Sequence, residues 1–144
     1  LVNSGRLSRA YCPPQRAPAL LGPGAPCPDA PLQRGNTRAW LLHLLQGGFF
    51  GIYFTKGPLP PDTGSALQRL SEAQPGLQHL VISAQNSNGS SDGWLDCEGL
   101  FQARYHAAPG SYILIRPDQH VAARWPLLDC ESVSQAHASA LAQE

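Results

Sequence analysis

The sequence has no surplus of charge: ten Lys and Arg balance ten Asp and Glu over 144 residues. A chain without a basic face has no electrostatic footprint for nucleic acid or for an anionic membrane. No apolar run approaches the roughly 18 residues that a membrane span needs. The four cysteines (Cys12, Cys27, Cys97, Cys130) form no C-x-x-C pair, and none of the five histidines sits at ligand spacing from a cysteine. That argues against a zinc site and against a paired-thiol redox centre. Four reduced thiols are expected; Cys12 and Cys27 share one Pro-rich segment and are the one pair placed to bridge. There is no glycine-rich phosphate loop, no G-x-G-x-x-G after a strand and no G-x-S-x-G, which removes the common nucleotide and serine-hydrolase signatures. The first residues, "LVNSGRLSRAY", have neither an initiator Met nor the basic-then-apolar layout of a secretory leader. The expectation is a cytoplasmic piece of a longer protein.

Proline, by contrast, is plentiful at the front: seven of the fourteen fall within residues 1–36. Proline removes backbone donors and pre-orders an extended path, so this stretch reads as a connecting segment laid over a surface, with Leu20, Leu21 and Leu32 as anchors. Residues 37–144 read as the folded domain. Gly35-Asn36, between "PLQR" and "TRAW", is a two-residue hairpin signal.

The domain begins with the short apolar element "WLLHLLQGG" and a buried strand, "FFGIYF". "SALQRLSEAQ" follows as a helix with Ala66, Leu67, Leu70 and Ala73 on one stripe, stopped by Pro75-Gly76. "LQHLVISA" is the next strand, and "NSNGSSDG" is a solvated loop. Asn88-Gly89-Ser90 within it is a chance match to a glycosylation acceptor. Asp92, Asp96 and Glu98 suggest paired carboxylates, but a loop-to-helix junction explains them as capping groups. Asp96 is expected to cap a helix beginning at Cys97, with Leu95 and Leu100 at staple spacing. Cys97, Leu100, Phe101 and Tyr105 would then share a face, making Cys97 a core thiol. Residues 112–125, "YILIRPDQHVAARW", read as a hairpin with Pro117 and Asp118 at its tip, Asp118 closing its own turn. A last helix, "DCESVSQAHASALA", carries Val133, Ala136, Ala140 and Leu141 on one stripe.

The order β-α-β-α-β-β-α, with a helix between successive strands and a closing hairpin, is the thioredoxin-like order. The expected fold is therefore α/β: a central mixed sheet of about four strands flanked by helices, behind a Pro-rich N-terminal extension. A working thioredoxin needs a low-pKa cysteine at the start of the helix after its first strand. That loop reads "TKGPLPPDTGSAL" and contains no cysteine. Ser111 holds the place before the hairpin strand where proline is usual. The polar residues left to consider are Arg116, Pro117, Asp118, His120 and Arg124. Alternation along the hairpin would bring the two arginines and His120 to one face beside Asp118. They form either a solvated turn or a docking surface for another part of a larger protein.

Residues 104–125, "RYHAAPGSYILIRPDQHVAARW", resemble the C-terminal signature of FAD-dependent aromatic hydroxylases of the phenol hydroxylase-like and hydroxyphenylpropionate hydroxylase-like type. "NSGRLSRAY", "GPGAPCPDAPL" and "LLHLLQGGFFGIYF" are similar to their lead-in and first strand. The resemblance implies a C-terminal thioredoxin-like domain of a flavoprotein monooxygenase, not catalytic by itself, that packs against upstream flavin and substrate domains and contributes homodimer contacts. The parent would use FAD, NAD(P)H and oxygen to hydroxylate an aromatic ring. This stretch has no catalytic, cofactor or metal residue to carry over. Relatives often have glycine after the tip aspartate; Gln119 stands here, at a place that would ask it for positive φ. The rival reading is a free-standing thioredoxin-like binding or redox protein.

Overall fold

The computed structural model describes residues 21–85 and 93–143. Cys12, Asn88-Gly89-Ser90 and Asp92 lie outside them. Seven strands form one sheet: β1 (Pro31–Arg34), β2 (Thr37–Trp40), β3 (Phe49–Thr55), β4 (Leu77–Ser83), β5 (Trp94–Leu95), β6 (Tyr112–Ile115) and β7 (Val121–Trp125). Their spatial order is β2-β1-β5-β4-β3-β6-β7. The helices are α1 (Leu41–Leu44), α2 (Pro61–Ala73), α3 (Leu100–Tyr105) and α4 (Cys130–Ala142).

The expected strands are all present: β3 and β4 run parallel, and β6 and β7 continue the sheet antiparallel. The expectation of about four strands is corrected to seven. The extra three come from places where the hydrophobic pattern is short. Gly35-Asn36 does turn a hairpin, pairing Arg34 with Thr37, and β5 is two residues that pair with Ile82 and Ser83. Pro31–Arg34, at the end of the Pro-rich segment, is thus built into the sheet.

β3 explains the lack of alternation in "FFGIYF". Phe50, Ile52 and Phe54 face one core with Leu41, Phe101 and Tyr105. Phe49 and Tyr53 face the other, with Leu67 and Leu70 of α2 and Val133 of α4. A strand covered by helices on both sides has no solvent face to mark with polar residues. No helix among the described residues is long and apolar enough to cross a membrane.

Helix boundaries shift from expectation for local reasons. α2 starts at Pro61, because proline suits the first helical turn, where its missing N–H has no partner to lose. α3 starts at Leu100, not Cys97: Gly99 sits at φ 71°, and the Asp96 carboxylate reaches past it to the amides of Phe101 and Gln102, both at 2.9 Å. Cys97 therefore lies in the turn, half-buried, with its thiol toward the Pro31 carbonyl. Asp129 caps α4 by accepting from the Ser132 amide. On that helix Leu141 is 45% exposed, and His137 fills the core position beside Val133.

Gly51 is the one residue of the central strand without a side chain, and its neighbours explain why. A Cβ there would run into the hydroxyl and ring of Tyr112 and the His79 ring. With Ser71 they form a partly buried polar bridge through the vacated space: Ser71 Oγ and His79 Nδ1 lie 2.7 Å apart, and His79 Nε2 and Tyr112 Oη 2.7 Å apart. Gly51→Ala should therefore destabilise by roughly 3 kcal/mol, the scale of forced overpacking plus a broken buried hydrogen bond. Chemical denaturation checks this; a midpoint within error of the parent chain would mean the bridge has room to move aside.

Candidate functional site

Three places bring polar groups together. The first is the hairpin tip. Pro117 and Asp118 occupy the turn, closed by Gln119 N–H to the Arg116 carbonyl at 2.9 Å and by Arg116 N–H to the His120 carbonyl at 2.9 Å. The Asp118 side chain does not close its own turn. It accepts from Arg116 Nε at 3.1 Å and Nη2 at 2.5 Å, and His120 Nδ1 lies 3.5 Å away. That hydrogen bond from the guanidinium holds the Asp118 carboxyl below the usual range. Gln119 takes φ 63°, the positive value its position demanded. Its side chain donates to the Leu42 carbonyl at 2.7 Å, an anchor that glycine would lack. Beside the tip lies a groove of about 330 Å³ lined by Phe49, Arg116, Pro117, Asp118, Ala140 and Gln143.

Of the five expected residues, Arg116, Pro117, Asp118 and His120 lie together. Arg124 does not join them. It donates to the Leu21 carbonyl at 2.7 Å and the His106 carbonyl at 3.1 Å, tying the incoming segment to the domain. This is the second place. Tyr105 Oη donates to the Pro28 carbonyl at 2.5 Å, and Arg104 Nη1 to the Asp29 carbonyl at 2.7 Å. Backbone bonds join Gly24 and Ala25 to Val121, and Cys27 to Gln119. Within the segment, burial pushes the Cys27 thiol up to about 11, the neighbouring Tyr105 hydroxyl pulling the other way. Such a thiol is inert at neutral pH.

The third place is a cleft of about 350 Å³ where β3 ends and α2 begins, lined among others by Tyr53, Asp62, Thr63, Gly110, Leu127 and Cys130. The first turn of α2 supplies Pro61, Asp62 and Thr63 where a thioredoxin would need its cysteine. Cys130 enters from the first turn of α4, its thiol 3.9 Å from the Ala66 carbonyl. Sequence reasoning missed this placement; the only signal was that Cys130 directly follows a capping aspartate. Ser111, before β6, is buried, and its hydroxyl has no hydrogen-bond partner among the described residues. No disulfide joins Cys27, Cys97 and Cys130, and no group of three or more metal-ligating side chains occurs among the described residues.

FAD does not fit these elements. A dinucleotide needs amide donors at a glycine turn and a helix N-terminus free of carboxylate. The two longer helices open instead with Asp62, and with Asp129 and Glu131.

Two outcomes test the tip and the buried bridge. Gln119→Ala loses the bond to Leu42 and keeps the positive φ, so it should cost about 1 kcal/mol; Gln119→Gly loses the same bond but relieves the backbone and should recover part of it. Equal midpoints for the two variants would mean the φ carries no strain. Burial holds His79 down to about 4, against 6.5 for the free imidazole. Between those values the unfolded chain binds the extra proton. The stability from a neutral His79 is therefore complete above pH 6.5 and is lost as pH falls toward 4, on the order of 3 kcal/mol in all. Stability against pH for the parent and for His79→Gln should diverge in that window, the parent falling more steeply; parallel curves would rule out this source.

Neither a protein-family model nor a curated protein sequence matches the chain. Solved structures do. The flavin-dependent monooxygenase PieE, in complex with FAD and substrate, is 23% identical with a TM-score of 0.66, over 95% of this chain and 23% of that one. Aklavinone-11 hydroxylase with FAD and aklavinone is 19% identical with a TM-score of 0.60, over 89% and 23%. The thiol peroxidase from Chromobacterium violaceum is 16% identical with a TM-score of 0.69, over 88% and 91%. The chain thus spans about a quarter of the length of the two flavin enzymes, and nearly the whole of the peroxidase. At these identities the likeness is one of fold, and the fold is thioredoxin-like.

Proposed function

We propose that the chain is a non-catalytic, C-terminal thioredoxin-like module of an FAD-dependent monooxygenase that hydroxylates an aromatic substrate. In this reading FAD, NAD(P)H and the reacting ring belong to upstream domains of a cytoplasmic protein. The hairpin tip with Arg116, Pro117, Asp118 and His120 is the docking surface for those domains or for a second copy. The Pro-rich segment is the connection, and Arg124 is one of its fastenings. The observation that carries the reading is the cleft at the start of α2, where Pro61, Asp62 and Thr63 replace the cysteine that a redox enzyme of this fold requires. The fold likeness to PieE and aklavinone-11 hydroxylase, each matched over about a quarter of its length, supports it.

One observation favours the rival, a free-standing thiol enzyme: Cys130 borders the same cleft, and the thiol peroxidase is matched over 91% of its length. The two readings separate in one preparation. The chain purified with added FAD should be colourless, and it should neither reduce peroxides nor reduce disulfides. The coding sequence upstream of Leu1 should carry a dinucleotide-binding fingerprint. A stoichiometric yellow complex would overturn the accessory role. Peroxide reduction that disappears in Cys130→Ser would establish the rival instead.

A further inference from the structure

The segment that crosses the mouth of the hairpin has an unusual mode of attachment. Pro23, Pro26 and Pro28 leave it short of donors, so it offers mainly carbonyls. Three of these are taken by side chains from distant elements: Tyr105 on Pro28, Arg104 on Asp29, Arg124 on Leu21. Its backbone bonds are confined to one patch on the hairpin: Gly24 N–H to the Val121 carbonyl at 2.7 Å, Val121 N–H to the Ala25 carbonyl at 2.8 Å, and Cys27 N–H to the Gln119 carbonyl at 3.0 Å. A single isolated bridge, Pro26 with His120, is all the strand pairing this adds up to.

We propose that residues 21–29 are a strap that opens as a unit while the sheet stays folded, and that this opening exposes the Cys27 thiol and the edge of β7 at Val121. The β3–β4 ladder runs over seven residue pairs without a break, whereas the strap has one isolated bridge and is otherwise held by single bonds spread along it, among them Leu42 N–H to Asp29 Oδ1 at 3.0 Å. Contiguous segments with few bonds of their own open at lower free energy than a central ladder. Cys27 is 7% exposed and sits in the strap itself, so the strap must lift before a reagent can reach it. The raised thiol pKa in the closed state adds contrast, because release to solvent restores the ordinary value and with it the thiolate that reacts. The opening is a property of this chain and holds under either functional reading.

Cysteine labelling with iodoacetamide under native conditions, mapped by peptide mass, tests the strap on the full chain. Half-buried Cys97 and Cys130 serve as internal comparators. Cys27 should react at least tenfold faster than global unfolding allows. Tyr105→Phe and Arg124→Gln, each removing one fastening, should raise that rate about tenfold beyond any change in the global denaturation midpoint. Hydrogen exchange on the unaltered chain gives a second measure that needs no variant to fold. The amides of Gly24, Cys27 and Val121 should exchange at least tenfold faster than those of the β3–β4 ladder. Labelling of Cys27 only at the global unfolding rate, or equal protection of both sets of amides, would overturn the proposal and make the strap part of the cooperative core.

Discussion

The bond from Tyr105 to the Pro28 carbonyl is the constraint around which one side of the molecule is arranged. A proline-rich segment cannot complete a strand ladder, yet its carbonyls still need donors once they leave water. The domain meets that need with donors from elsewhere. α3 supplies Tyr105 and Arg104, and β7 supplies Arg124. This is why α3, only six residues long, has both a buried aromatic and an exposed cation near its end. The same tyrosine stacks on Phe101 at 4.6 Å, and Phe101 lies against Phe54 of the central strand. One side chain thus joins the incoming segment to the core.

The opposite face solves a different problem. α2 must stay on the sheet although its first turn is rich in proline, aspartate and glycine, with only Leu67 and Leu70 fully buried. The Ser71–His79–Tyr112 bridge adds a directional tie. A neutral imidazole has one donor and one acceptor nitrogen, and a hydroxyl serves either role, so both ends are satisfied in either tautomer. The bridge requires space in the middle of β3, and Gly51 provides it. The loss of packing at one position is thereby coupled to a polar contact at two others. A buried polar network of this kind favours one arrangement of helix on sheet over near alternatives.

What could be read from the sequence follows the range of the interactions. β3, α2, β4, the terminal hairpin and α4 each announce themselves by periodicity or turn residues within about a dozen positions. The positive φ of Gln119 was suggested by the resemblance, whose relatives often carry glycine at that place, and it is what the turn adopts. β5 could not be read, because two residues have no periodicity; it exists through its pairing with β4. The start of α3 was misplaced because Asp96 caps across an intervening turn that depends on Gly99. Arg124 was assigned to the hairpin cluster by alternation, whereas its partner Leu21 is 103 residues away. Cys130 reaches its cleft by the same kind of long-range closure. Local chemistry was visible; the destination of long side chains was not.

The two ends of the sheet divide the roles between them. Where β3 runs out into α2, the scaffold offers a cleft and a helix start, the arrangement in which this fold activates a thiol. This sequence places proline and aspartate there, and a carboxylate at a helix N-terminus is favourable for stability while opposing a second negative charge such as a thiolate. At the other end, the hairpin tip holds the Arg116–Asp118 ion pair with His120 beside it, next to an open groove. Exposed pairs of this kind add little to stability. The pairs do fix a pattern of charge on the turn, with Gln119 pinned to Leu42 behind it. The two ends of the sheet therefore differ in chemistry: the start of α2 carries a carboxylate that opposes a thiolate, and the hairpin tip carries exposed charge on a turn fixed by the Gln119 bond to Leu42.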